Sequence, residues 1–458
     1  MMRLNQDQQR LLYNGAAWAL YESVTAGFLI AFALALGASN TVVGILGALP
    51  YIATLLMEIP GAKLVEYARR KTIYVIATSV SRCGWLLVLL SPYLFKEQTL
   101  WFVGGFFFLL RCLEYLADPA WTSWAADLVP DKIRGAFWGR RNMLVSLAGM
   151  LGTVAAGTYL DLFPKESTIG FATLFGAGIL VGLWSTRIMV QTKEPEYRDH
   201  VHHGFKAFFH IDGQFRAYCW IMVAYNFAVM IASPFFTVYM LHNLGLSYTY
   251  FVLAGALATA SRILAHPHFG YVSDRVGDKP VALICMLGTA LIPFFFAFVT
   301  RETVWLVVPI QIVSGIVWAG TELTTWNLLL DLTRREKRAL QVAEYNLLNS
   351  VPMIVAPILG GLIADNVTLI LSGIPLIFVM ASILRVLAAL LMTRIHETRV
   401  GAERPVGEVF AHVITVHPFH GIERVIKVVV KRVQEEFTHI HPSYPVKGRV
   451  QRIQQPRA

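Results

Sequence analysis

Residues 270–279 read GYVSDRVGDK, a short run of charge and glycine set between two apolar stretches, each long enough to cross a bilayer. Earlier in the chain GAKLVEYARRK, residues 61–71, occupies the same kind of place. Polar turns between long apolar runs point to a chain that reverses repeatedly at a membrane surface. Hydrophobic residues make up 56% of the 458 and charged residues 15%, more apolar surface than one or two soluble cores can hide. Lipid is therefore the expected solvent. Helices, which satisfy their own backbone groups, are the expected way across it.

Twelve apolar runs are readable, at 11–36, 41–62, 72–95, 99–124, 142–161, 168–190, 216–242, 248–270, 280–299, 303–328, 342–364 and 368–392. An even number puts both ends on one side. Most of the 39 Lys and Arg lie in the termini and in the loops after even-numbered runs, as in EYARRK, PDKIRGAFWGRR and TRREKR; the opposite loops hold Lys96, Lys165 and Arg301. By the positive-inside rule both termini are expected in the cytoplasm, in a cell or inner membrane. The net charge of +10 then belongs to topology, and no nucleic-acid partner is expected. MMRLNQDQQRLLYN leads into the first run without the basic, apolar and small-residue segments of a cleaved signal peptide. Cys83, Cys112, Cys219 and Cys285 fall inside the runs and read as packing residues rather than a disulfide framework.

A shift of 204 residues superposes WAADLVPDKIRGAFWGRRN, 124–142, on LLLDLTRREKRALQVAEYN, 328–346. It sets Asp127 on Asp331, Arg134 on Arg338, Gly157 on Gly361 and Asp161 on Asp365. A slightly larger shift lays LGAS, 36–39, over LGLS, 244–247, and Gly61 over Gly270. The expected organisation is a six-helix bundle at 1–190, a charged and aromatic cytoplasmic linker at 191–215, a second bundle at 216–395, and a tail at 396–458. An axis along the membrane normal would relate the bundles.

Gly270, Asp274, Arg275, Gly277 and Lys279 fit G-x-x-x-D-R-x-G-x-K, the loop pattern of the major facilitator superfamily of secondary transporters, which the chain resembles over about residues 11–395. The resemblance implies an all-α membrane protein of twelve transmembrane helices in two pseudo-symmetric halves, not an enzyme. The earlier copy departs from the pattern, with Val65 in place of the aspartate and Ala68 in place of the second glycine. Gly270 and Gly277 would free a tight reversal of Cβ constraint. By resemblance, Asp274 would sit against the N-terminus of span five, beside Arg140 and Arg141, and latch the cytoplasmic side shut. The bland alternative is a solvated turn kept basic for topology alone. Arg134 and Arg338, each seven residues after Asp127 and Asp331, suggest a duplicated pairing at the ends of spans four and ten.

Ionisable residues at bilayer depth are costly and point to a cavity or a partner. RCLEYLADP places Arg111, Glu114 and Asp118 on one face of span four, and Trp18 and Glu22 share a face of span one beside Tyr21. In span ten, WAGTELTTW sets Trp318, Glu322 and Trp326 at helical spacing; in span seven, Tyr225 and Asn226 lie near the repeat-mate of Glu22. The resemblance implies that spans one, four, seven and ten line a central cavity. Two uses of its acids follow. An acid held away from water can load and release a proton, coupling transport to a proton gradient. Alternatively the acids bind a cationic solute whose apolar body packs on Trp and Tyr. Each acid is equally readable as a helix-register partner of Arg82, Arg111 or Arg262. Glu22 is the expected protonatable group, since its own span offers no basic neighbour.

Drug antiporters of the family carry a Gly-Pro step in span five; SLAGMLGTVAAG has Thr153 at the proline position, whereas APILGG, 356–361, carries a proline in span eleven. After about residue 393 EVFAHVITVHPFHGIERVIKVVVKRVQEEF reads as a basic amphipathic helix on the inner leaflet. Its irregularly spaced histidines give no metal-ligand pattern, and no phosphate-cradling loop occurs, so neither metal nor cofactor is expected. The expected function is proton-coupled secondary transport of a small amphipathic or cationic solute by a monomer whose other partners are lipids. The alternatives are an importer of an anionic metabolite and a non-transporting sensor or scaffold.

Overall fold

Each reversal at the membrane surface carries its own helix-starting chemistry. The computed structural model describes residues 4–130, 133–165, 167–195, 213–334, 337–368, 371 and 373–396; most of the linker and almost all of the tail lie outside the described residues. In LGAS and LGLS the glycines Gly37 and Gly245 take φ of 81° and 72°, a region that a Cβ disfavours. The following serines, Ser39 and Ser247, accept bonds from the backbone N–H groups of Val42 and Tyr250 and start the next spans. The repeated tetrapeptide is thus a repeated turn-and-cap. At the N-terminus Asn5 and Gln8 form a reciprocal capping box, so span one begins at Gln6 and draws the polar segment before residue 11 into the helix.

Among the described residues, eleven continuous helical segments are long and apolar enough to cross a bilayer: Gln6–Ala35, Asn40–Tyr67, Arg70–Leu128, Arg134–Leu160, Thr168–Val190, Gly213–Asn243, Tyr248–Val276, Asp278–Phe296, Val304–Leu332, Leu340–Asn366 and Ile374–Arg394. The longest reverses at Lys96–Gln98, so Arg70–Phe95 and Thr99–Leu128 pack against each other as two passes. Among the described residues the passes number twelve. Broad exposed bands of Leu86, Leu90, Leu180, Leu291, Phe295 and Leu387 suit lipid and would be untenable in water.

Span one packs on five and six, span three on four and six, and span two on four. Span seven packs on eleven and twelve, span nine on ten and twelve, and span eight on ten, which is the first pattern moved by six. Between halves, span two meets eleven and span five meets eight. Core clusters away from the basic loops mix both halves: Val43 packs with Phe235 and Ala356, and Leu241, Tyr248 and Val252 pack with Phe171 and Phe175. Toward the basic face, the clusters around Trp124 and Tyr218 each draw on one half. The halves are joined at one face and separate at the other.

Spans one and seven both break past their midpoints, at corresponding places. In span one the helix ends at Val24; the Thr25 hydroxyl donates to the Tyr21 carbonyl at 2.6 Å, and the short turn Ala26–Phe28 precedes a second helix. In span seven, residues 231–234 interrupt the helix before Pro234, which has no N–H to give. Arg385 of span twelve, 2% exposed, serves this second break. Its guanidinium donates to the carbonyls of Ala228 at 3.3 Å, Val229 at 3.4 Å and Thr289 at 2.8 Å. The Thr289 carbonyl is open because position 293, four residues on, is proline.

Candidate functional site

The break in span one opens onto a cavity of about 460 Å³ lined by Trp18, Glu22, Ala26, Gly27, Phe107 and Arg111, with Val145 and Gly149 of span five closing another wall. Arg111 of span four is the hub. Its Nη1 donates to Glu114 Oε2 at 2.6 Å and to Glu22 Oε2 at 3.3 Å, and its Nη2 donates to Glu22 Oε1. One planar fork therefore serves carboxylates from two spans, a geometry for which guanidinium is suited and ammonium is not.

The two acids differ in what else holds them. Glu114 also accepts from Tyr21 Oη at 3.0 Å and Ser81 Oγ at 3.1 Å, and Trp85 Nε1 donates to Tyr21 Oη at 2.7 Å. Glu22 has Arg111 as its one hydrogen-bond partner among the described residues, and its side chain is 30% exposed against 14% for Glu114. Arg82, 1% exposed, lies over the Tyr21 ring at 4.9 Å and donates to the Thr78 carbonyl at 3.0 Å. With both acids ionised, the Glu22, Glu114, Arg82 and Arg111 group is neutral overall. One added proton or cation gives it a net positive charge.

The second half holds a smaller cavity of about 230 Å³, which gathers Tyr225, Asn226, Trp318, Glu322 and Trp326, with Tyr345 of span eleven. Asn226 donates to Asn349 at 2.7 Å, and Tyr225 shares a 2.7 Å hydrogen bond with Thr289. Glu322 accepts from Arg262 at 2.9 Å, with His266 Nε2 at 4.0 Å, all about 40% exposed. One central cavity was the expectation; instead Trp18, Glu22 and Arg111 line the larger of two and the five second-half residues the smaller, while Tyr21 and Glu114 line neither. Sequence spacing also put Asp118 on the face of Arg111 and Glu114, but Asp118 is exposed and makes no ion pair with Arg111. Ser81, Trp85 and Tyr345 were missed, because neutral side chains in an apolar run carry no signal of their own. Arg262 and His266, one turn apart in span eight, were the readable clue to Glu322's surroundings.

The motif turn differs from expectation in its details. Span eight runs through Gly270 to Val276, so Gly270 is helical and the reversal falls on Gly277, with φ of 95°. Asp274 and Arg275 are exposed; Arg275 lies over the Tyr271 ring at 4.0 Å, and Asp274 makes no hydrogen bond or ion pair among the described residues. The buried acid of the turn is instead Asp278, 1% exposed, which accepts from Asn327 at 2.9 Å. Lys279 follows at the start of span nine.

The expected pairs at the ends of spans four and ten also change partners. Asp127 pairs with Arg70 at 2.6 Å, and Arg70 further engages Ser123, Glu194 and the Pro195 carbonyl. Arg134 is exposed at the start of span five. Arg338 donates to the Thr333 hydroxyl at 3.1 Å and the Leu330 carbonyl at 3.3 Å, and Asp331 is exposed. Arg141 stacks over Trp121 at 4.6 Å and Trp138 at 5.4 Å.

The family model described as Major Facilitator Superfamily matches residues 14–232 and 218–434. The tetracycline resistance protein, class H, of Pasteurella multocida is 32% identical over 171 residues, 36% of this chain; the match spans 41% of that protein's length. Among solved structures, a nucleoside transporter superposes with a TM-score of 0.68 at 14% identity, covering 86% of this chain and 100% of the other. A D-xylose-proton symporter superposes with a TM-score of 0.63 at 14% identity, covering 87% and 99%. At these identities the superpositions bear on fold alone.

Proposed function

The chain belongs to the Major Facilitator Superfamily and is a multi-pass membrane transporter, and on that premise we propose that it moves a small amphipathic or cationic solute across the cell membrane in exchange for protons. The two halves rock about the paired cavities, with both termini in the cytoplasm, and the arrangement described here is the cytoplasm-open state. One observation carries the reading: Glu22 faces the larger cavity with a single partner, Arg111, and with Trp18 one turn away. A cation or a proton can neutralise that carboxylate, but not both together. Competition for one group is the simplest basis of exchange. The indole of Trp18 offers a face to an organic cation. Similarity to a tetracycline resistance protein fits an organic cargo.

A second reading rests on the same guanidinium. An anionic solute would take Arg111 away from Glu22, leaving that carboxylate to pick up a proton and travel with the cargo. Charge-selective binding separates the two. Purified protein in detergent is titrated with tetraphenylphosphonium and with benzoate at pH 8 and pH 6. Exchange requires tetraphenylphosphonium to bind about tenfold or more weakly at pH 6, as protons compete for one site. Benzoate binding that strengthens at pH 6 supports the anion importer. Binding of neither, together with no flux in proteoliposomes, leaves the sensor or scaffold.

A further inference from the structure

Gly157 and Asp161 end span five, and Gly361 and Asp365 end span eleven, so the same G-x-x-x-D appears twice at corresponding positions. Neither cavity uses it. Asp161 Oδ1 accepts the Tyr248 N–H at 2.8 Å and Oδ2 accepts the Thr249 N–H at 2.8 Å, the first amides of span eight in the other half. Asp365 does the same for span two: Oδ1 accepts the Asn40 N–H at 3.2 Å and Asn40 Nδ2 at 2.8 Å, and Oδ2 accepts the Thr41 N–H at 2.7 Å and its hydroxyl at 2.6 Å.

The glycines set the approach. A Cβ on Gly157 would meet Val252 Cγ2 at 2.6 Å and the Tyr248 carbonyl at 3.0 Å; one on Gly361 would meet the Asn40 carbonyl at 2.5 Å and Thr41 Cα at 2.7 Å. Only a bare backbone lets each aspartate reach the opposing helix end. Both contacts join the halves at the face where they are in contact, opposite the basic loops.

We propose that these two Gly–Asp pairs form one duplicated latch: each half lends a carboxylate to the first amides of a helix in the other, ahead of those its own serine cap holds, and the two release together when the outer face opens. The proposal rests on the rocking of two halves put forward above. A helix start has unpaired N–H groups and a partial positive charge, so an ionised carboxylate held across both amides is a strong and directional tie. Lys165 strengthens the span-five copy by donating to the Gly245 and Leu246 carbonyls, both at 2.7 Å, while Arg301 donates to the Asn243 carbonyl at 3.1 Å. Two of the few basic residues on this face are thereby accounted for.

The span-five copy of the latch stays charged through the working pH range. Burial pushes the Asp161 carboxyl up, but the bonds from Thr249, Tyr248 and Ser247 outweigh it and hold it below its usual value. Lys165 and Arg301 are the cationic groups around it. A depressed carboxylate contributes fully above its free value of about 4 and loses that contribution as pH falls through the lower, bound value. Opening driven by acid is therefore expected only below about pH 4. Coupling protons must act elsewhere.

Amide hydrogen exchange on the full chain in lipid nanodiscs, read at Asn40, Thr41, Tyr248 and Thr249, tests the latch without cargo or gradient. D161N and D365N each replace one acceptor oxygen with a donor facing an N–H, whereas G361A wedges the interface and alters no charge. Expected is exchange faster by about two- to thirtyfold, the span of a lost cap, at both helix starts in each of the three variants. Acceleration confined to the helix start facing the altered residue, or none at either, overturns the proposal. The proton-exchange reading stands or falls separately, since no proton or solute enters this measurement.

Discussion

Glu22→Gln is expected to abolish accumulation of cargo against its gradient and to weaken binding of a cationic cargo, because the neutral amide stands in for the protonated acid. Glutamine keeps the size of the side chain and one acceptor oxygen for Arg111, but it cannot take up or release a proton. Its amide nitrogen would face a guanidinium N–H where Glu22 Oε1 now accepts, so Arg111 would turn toward Glu114 alone. Helix packing is retained, because Glu22 has no other hydrogen-bond partner among the described residues to strand. In proteoliposomes with an imposed pH gradient the ratio of internal to external cargo should fall to about 1, the value without coupling. Glu114→Gln gives the contrasting case. That carboxylate accepts from Tyr21, Ser81 and Arg111 together, so its neutralisation strands a donor and lowers stability. Uphill transport that survives in Glu22→Gln removes Glu22 from the coupling.

Arg385→Met is expected to give the largest loss of stability of any single substitution outside the cavity. Methionine fills a similar volume and removes the cost of a buried charge, yet it loses three hydrogen bonds and leaves the Ala228 and Thr289 carbonyls without donors, while the Val229 carbonyl keeps the N–H groups of Ala232 and Ser233. At Thr289 the gap stays open whatever occupies position 385, because Pro293 has no N–H. Bonds between membrane helices contribute about 0.6–1.7 kcal/mol each, so three come to about 2–5 kcal/mol. The offset from losing the charge places the expected value toward the lower end of that range. Thermal unfolding in detergent should show a midpoint several degrees lower, and span seven should exchange faster around residues 228–234. An unchanged midpoint would mean that the broken helix finds its donors elsewhere.

Much of this architecture was legible because lipid is a severe solvent. Span count and the repeat followed from run lengths and self-similarity, and the acids stood out because charge inside an apolar run is costly. Trp318, Glu322 and Trp326 could be placed on one face from spacing alone, and they line one cavity. Periodicity gives a face but not the helix opposite it. For that reason the pairing of Glu22 with Arg111, across 89 positions, was not readable, and neither was the choice of Arg70 over Arg134 as the partner of Asp127. The break at Thr25 was hidden because no proline marks it; a hydroxyl bonding back to the Tyr21 carbonyl leaves no signature in composition. Gly157, Asp161, Gly361 and Asp365 were visible as a repeat, but their contacts run between halves and emerge only from the fold.

Exchange of a proton for a cation at Glu22, within a neutral group of four charged residues, can be read by proton counting. Wild-type protein is reconstituted into vesicles containing a pH-sensitive dye, and tetraphenylphosphonium is added on one side with membrane potential clamped by potassium and valinomycin. Protons should move opposite to the added cation, and the signal should vanish in Glu22→Gln. Cation flux with no proton movement, or proton movement in the same direction as the cation, would contradict it.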